Sequence, residues 1–206
     1  MLEKIFPTEN ASLQSLAALS TEVANSAALL SEMVGSQGKD SYSEILARML
    51  EHESHTQNAF FTTMTHVRSS FSTPLPREDL YTLANHLMGA VERLTSAGHI
   101  LSLHKITRFT SHATTLLDLI QREAVLTTAI IPRLGDLRGM DEYWMDMIRI
   151  SRQATRTGEA YKADILSAYK TDRYLKTVQF IDEVLHASAS MRSVSAHIGR
   201  IIVQES

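Results

Sequence analysis

The sequence predicts an all-α protein of about six long helices. Apolar residues recur at three- and four-residue steps along nearly the whole chain. Only 8 Gly and 4 Pro punctuate 206 residues, too few for a β-sandwich or barrel, which needs a turn signal about every ten residues. With 44% hydrophobic and 21% charged residues, the chain has material for a packed core and lacks the composition of disorder. Its length suits a single domain.

The first helix carries the stripe Leu13, Leu16, Ala17, Val23, Ala24, Ala27, Leu30 and Val34. Gly35-Ser36-Gln37-Gly38 ends it, glycine supplying a left-handed stop. Asp40, Ser41 or Ser43 then caps a second helix striped with Tyr42, Ile45, Leu46, Met49, Thr56, Phe60, Met64, Val67 and Phe71. Two prolines in Ser72-Thr73-Pro74-Leu75-Pro76-Arg77-Glu78-Asp79 forbid continuation, and Glu78 and Asp79 suit the first turn of a third helix. Leu80, Leu83, Ala84, Leu87, Val91 and Leu94 follow on its inner face.

A weaker break at 107–110 precedes a fourth helix with Leu116, Leu117, Ile120, Ala124 and Ile131. Pro132 and Gly135-Asp136-Leu137-Arg138-Gly139 end it. Asp141 caps a fifth helix bearing Trp144, Met147, Ile148, Ala154, Tyr161 and Ile165. A polar break near Thr171-Asp172 leads to a sixth, with Leu175, Val178, Ile181, Leu185, Met191, Val194, Ile198 and Ile201. Short connections make sequential helices antiparallel neighbours. Residues 41–107 and 139–204 share a helix–break–helix plan. Ser96-Ala97-Gly98-His99-Ile100 is echoed by Ser195-Ala196-His197-Ile198. A duplicated three-helix unit, 1–107 and 108–206, within one domain is the expectation.

Cysteine is absent, which excludes disulfides, thiolate metal sites and a cysteine nucleophile. Twenty Lys+Arg stand against 23 Asp+Glu, so there is no global basic field and nucleic acid is not an expected partner. Apolar stretches fall short of the ~20 residues needed to span a bilayer. Met1-Leu2-Glu3-Lys4-Ile5-Phe6-Pro7 lacks a signal-peptide pattern. The expected location is the cytoplasm, with membrane contact only through a partner. A helix face with surplus apolar residues would serve as a seam between two copies.

Nucleotide-binding glycine loops and the G-x-S-x-G elbow do not occur. The densest polar cluster is Glu51-His52-Glu53-Ser54-His55, where Glu51 and His55 share a helix face. It reads either as part of a metal site, since carboxylate and imidazole at helical spacing suit Fe, Mn or Zn, or as a solvated face. A zincin H-E-x-x-H is not formed. Glu183-Val184-Leu185-His186 matches the di-iron Glu-x-x-His pattern once, without a second copy. His86, His99, His104, His112 and His197 stand singly and read as packed or capped side chains. Tyr143, Trp144 and Met145–Met147 have the look of a cofactor box, but at the start of an amphipathic helix they read as core packing. Arg149, Arg152 and Arg156 form a ridge on one helix face. It reads as a contact for phosphate or an acidic partner, or as solvated surface.

The stretch from Ser72 to Leu87 contains Thr73-Pro74-Leu75-Pro76-Arg77-Glu78-Asp79-Leu80-Tyr81-Thr82-Leu83-Ala84. It resembles the T-P-x-x-R-E-D-[IL]-x-x-L-A signature of the PhoU-like phosphate transport regulators. Leu50-Glu51-His52-Glu53 matches the L-E-H-E run of the same family. The resemblance implies two antiparallel three-helix bundles side by side. It implies no catalysis, and a role in regulating phosphate uptake through contact with a Pit-type inorganic phosphate permease or its signalling partners. The family binds iron or other metal clusters through E/D-x-x-x-D motifs. Here His55 replaces the acidic residue four positions after Glu51, Met88 and Gly89 replace an Asp pair, and only Glu92 stays acidic on that helix. Ser151 and Thr155 stand where Glu and Asp are expected, and after Asp182 and Glu183 no carboxylate occurs from Ser188 to Ser195. Hard cations need converging anionic oxygens, so no metal cluster is expected in the second half, and the resemblance leaves open only a residual first-half site for Fe, Mn or Zn on Glu51, His55 and Glu92. The rival readings are a metal-binding helical bundle using the Glu/His cluster and a helical scaffold unrelated to phosphate.

Overall fold

Apolar stripes this long oblige each helix to bury a face against several neighbours. A computed structural model describes residues 11–36, 40–136 and 138–205. The readings placed on Met1–Pro7, Gln37, Gly38 and Leu137 lie outside these residues. The described chain is all-helical: α1 (Ala11–Gly35), α2 (Asp40–Ser69), α3 (Arg77–His104), α4 (Ser111–Ile130), a 3-10 turn (Ile131–Arg133), α5 (Asp141–Ala168) and α6 (Thr171–Glu205).

Helices α1, α2 and α3 pack mutually, as do α4, α5 and α6, which makes two three-helix bundles. They meet side by side through α3 against α6 and α1 against α4. Polar pairs fix the directions. Ser15 and Glu32 of α1 meet His66 and Arg48 of α2. Asp79 and Arg93 of α3 meet His197 and Glu183 of α6. Thr128 of α4 donates to the Ser20 carbonyl of α1. Each of these pairings runs antiparallel.

One apolar cluster runs through both bundles. The expected inner face of α3 holds throughout: Leu80, Leu83, Ala84, Leu87, Val91 and Leu94 are fully buried. In α1 the buried face is wider than one stripe and includes Leu19, Leu29 and Met33, because this helix packs on α2, α3 and α4. Between α5 and α6, Gly158 faces Leu185 and Gly199 faces the Trp144 ring. A Cβ at Gly158 would lie 2.8 Å from the Leu185 side chain, so the two backbones approach closely there.

Some sequence expectations shift. Phe71 is fully exposed, because α2 ends at Ser69 and helical spacing no longer governs its direction. Leu175, in the first turn of α6, is also exposed. Asp141 is the first helical residue of α5, with Met140 at the cap position. Helix α2 begins at Asp40, with Ser41 and Ser43 in its first turn. The break before α6 lies at Tyr169–Lys170, just ahead of Thr171.

The α3–α4 break begins at Lys105 rather than Thr107. Lys105 adopts a left-handed conformation (φ 52°, ψ 45°). Its N–H bonds to Ser102 O, and Ile106 N–H bonds to Leu101 O at 3.1 Å, the Schellman pattern in which glycine is usual. The buried Tyr42 hydroxyl donates to the Ile106 carbonyl at 2.7 Å and ties this turn to α2. A non-glycine residue in this conformation costs about 1 kcal/mol. Lys105→Gly is therefore expected to raise the urea midpoint, by the equivalent of about 0.5–1 kcal/mol. An unchanged or lower midpoint would contradict the strain assigned to Lys105.

Candidate functional site

On α2, positions three apart face one neighbour, and the structure divides the Glu51–His55 cluster accordingly. His52 and His55 turn toward α1. There the Glu22 carboxylate lies 2.5 Å from His52 Nδ1, and one ligand atom from each of Glu22, His52 and His55 lies within 4.8 Å of the others. The two imidazoles meet edge to face, with centroids 6.2 Å apart. Glu22 and His52 are half-buried and His55 is exposed. The expected ligand set of Glu51, His55 and Glu92 does not gather. Glu51 is exposed on α2, while Glu92, on α3, is close to Glu53 instead. Burial first, then the charge of Glu92, pushes the Glu53 carboxyl above the ordinary glutamate range. Only His55 belongs both to the expected set and to the observed cluster.

The other positions that the resemblance associates with metal offer few ligands. Gly89 faces Ser190 of α6. Ser151 is buried, and the Thr155 hydroxyl donates back to its carbonyl. Asp182 pairs with Lys162, and Glu183 with Arg93. With both carboxylates paired to cations and the other positions uncharged, this set does not fit a carboxylate-bridged metal cluster.

Arg149, Arg152 and Arg156 stand exposed along α5, where with Met145, Ile148 and Gln153 they border a shallow depression of about 510 Å³. Arg149 is engaged by Asp146 at 2.9 Å. A second groove of about 710 Å³ adjoins it, between α4 and α5, lined by Arg122, Val125, Leu126 and Ile150 among others. Tyr143 and Met147 are buried and Trp144 packs on Gly199, as core packing requires, whereas Met145 is exposed.

The signature at 72–87 builds a junction. The Thr73 hydroxyl donates to Leu75 O at 2.7 Å, and Leu75 is buried between the two prolines. Arg77 donates to Ser70 O at the end of α2. Asp79, in the first turn of α3, is buried and accepts from Arg200 at 2.5 Å, with His197 Nε2 at 2.9 Å. Burial, then the Arg200 charge, lowers the His197 pKa from its ordinary value despite Asp79. Burial, then His197, lowers that of His86. His197 is thus a packed histidine with a charged partner. His112 stacks on the Tyr161 ring.

Sequence reasoning missed Glu22, a lone acid on a mostly apolar helix, and Glu123. Glu123 is fully buried among α4, α5 and α6. Ser188 donates to its Oε1 at 2.9 Å. Its Oε2 and the Tyr143 and Ser195 hydroxyls are buried without hydrogen bonds of good geometry. Burial pushes the Glu123 carboxyl up to about 8, against the Ser188 hydrogen bond and Arg192. Glu123 falls at helical spacing from Leu116 and Ile120, but a Glu at such a position ordinarily reads as surface.

The chain matches no protein-family model and no curated protein.

The Glu123 environment has a pH signature. Its carboxyl ordinarily titrates at 4.5 and in the folded chain at about 8. Between those values the folded state holds the extra proton, so stability falls as pH rises through the window. Glu123→Gln removes this dependence while keeping the shape. Its stability relative to wild type is expected to rise from pH 5 to pH 8 by on the order of 4 kcal/mol. His86 and His197 are present in both proteins and cancel in the difference. Parallel stability curves would contradict a neutral buried Glu123.

Proposed function

We propose that the protein is a non-enzymatic regulator of inorganic phosphate transport, similar to the PhoU-like proteins. It docks on the cytoplasmic side of a Pit-type phosphate permease or on that permease's signalling partners. The observation that carries this reading is the use made of the signature residues. Thr73, Leu75, Arg77 and Asp79 each hold the α2–α3 junction or its link to α6. Such a motif marks a fold rather than a reaction, and the fold around it is the paired three-helix arrangement that the resemblance implies.

Long helices with fixed ends present extended, rigid faces, which suits recognition by surface. Among the described residues no helix is long and apolar enough to cross a membrane, so in this reading the permease supplies the membrane attachment. The docking face assigned here is the outer side of α5. There the Arg149–Arg152–Arg156 ridge would meet acidic groups of the partner, with exposed Met145 adding an apolar contact.

Co-purification of the tagged, full-length protein from its own cells tests this. A phosphate permease should be recovered with the wild type. It should be reduced about tenfold by Arg149→Glu, Arg152→Glu and Arg156→Glu combined, a loss of about 1.4 kcal/mol of docking energy, with unchanged circular dichroism. Recovery of no permease contradicts the regulator reading. Equal recovery by both proteins contradicts the ridge as the docking face.

A further inference from the structure

The Glu22–His52–His55 cluster has a composition and placement that the docking face does not use. It joins α1 to α2, away from the α5 ridge, so it stands or falls independently of the phosphate reading. Its donors are two imidazoles one helical turn apart on α2 and one carboxylate from the adjacent helix. Two nitrogens and a single carboxylate oxygen disfavour Ca²⁺ and Mg²⁺, which take oxygen-rich shells. They suit a borderline divalent ion such as Zn²⁺, for which two His and one carboxylate are a familiar protein set.

The surroundings hold the donors without consuming them. The Asn25 amide donates to Glu22 Oε2 at 3.4 Å, a contact of the kind that orients a ligating carboxylate. Arg48, one turn earlier on α2, is engaged by Glu32 at 2.8 Å and so has its own carboxylate. One ligand atom from each of the three side chains already lies within 4.8 Å of the other two, with the imidazoles edge to face. An ion held there would tie α1 to α2 at mid-length.

We propose that Glu22, His52 and His55 form a three-ligand interhelical site for Zn²⁺, with a remaining coordination position open to water. Three protein ligands and an exposed His55 make it an exchangeable site rather than a closed structural one.

Titration of the untagged, full-length, chelator-treated protein with Co²⁺ as spectroscopic probe, followed by Zn²⁺ competition, tests the assignment. The expected result is one Co²⁺ per chain with ligand-field absorption, displaced by one Zn²⁺. Affinity should fall about tenfold or more in His55→Ala and in Glu22→Gln, and remain unchanged in the control His99→Ala, which alters an exposed histidine on α3. His55 is exposed, so its removal does not threaten the fold. Zn²⁺ should also raise the thermal midpoint of the wild type but not of His55→Ala. Absence of stoichiometric binding, or binding that survives either ligand substitution undiminished, overturns the site.

Discussion

The antiparallel seam between α3 and α6 is the constraint on which the rest of the molecule depends. Each of the two helices belongs to a different bundle, and each is packed on three neighbours. Leu80, Leu83, Leu87, Val91 and Leu94 of α3, and Ile181, Val184, Met191, Val194 and Ile198 of α6, are essentially inaccessible to water and belong to the one cluster that runs through both bundles. Each such side chain contributes roughly 1.5–3 kcal/mol relative to exposure. The buried faces of these two helices therefore outweigh any surface ion pair, and their packing on each other makes one core of two bundles.

Polar groups within and around this core do different jobs. Asp79, His197 and Arg200 close one end of the seam, where a charge in the first turn of α3 meets partners on α6. Breaking such a buried pair is costly because it strands the remaining charge. Arg93 and Glu183 bridge the same helices farther along at an exposed site, and contribute little by comparison. Glu123 solves the burial problem another way, by staying protonated. The outward consequence is a body that turns rigid helix faces to solvent, of which the α5 ridge and the Glu22–His52–His55 cluster carry the most distinctive chemistry.

Most of the architecture was legible in the sequence because its signals are local. The prolines at 74 and 76, Gly35 and Gly139 mark ends, and three-to-four spacing marks inner faces. The exceptions have physical causes. Lys105 occupies a left-handed position without being glycine, so the end of α3 carried no signal. Phe71 obeyed the α2 spacing but lies past its last turn. The candidate site was legible only in part. The Glu51–His55 run drew attention to the turn of α2 that carries His52 and His55, yet Glu22, which completes the observed cluster, comes from another helix and cannot be found by spacing within one helix. Glu92 looked like a partner for Glu51 and His55, but it lies near Glu53, while His55 turns toward Glu22 of α1. The Arg149–Arg156 ridge, whose members share one helix, was found as placed.

A shared core makes the two bundles unfold together, and the single tryptophan offers a direct check. Trp144 packs against Gly199 between α5 and α6, so its fluorescence follows the second bundle, while far-UV circular dichroism follows all six helices. Urea unfolding monitored by both signals should give coincident, single-step curves. Separated transitions, with helicity and Trp144 fluorescence changing at different urea concentrations, would contradict one core closed through α3 and α6.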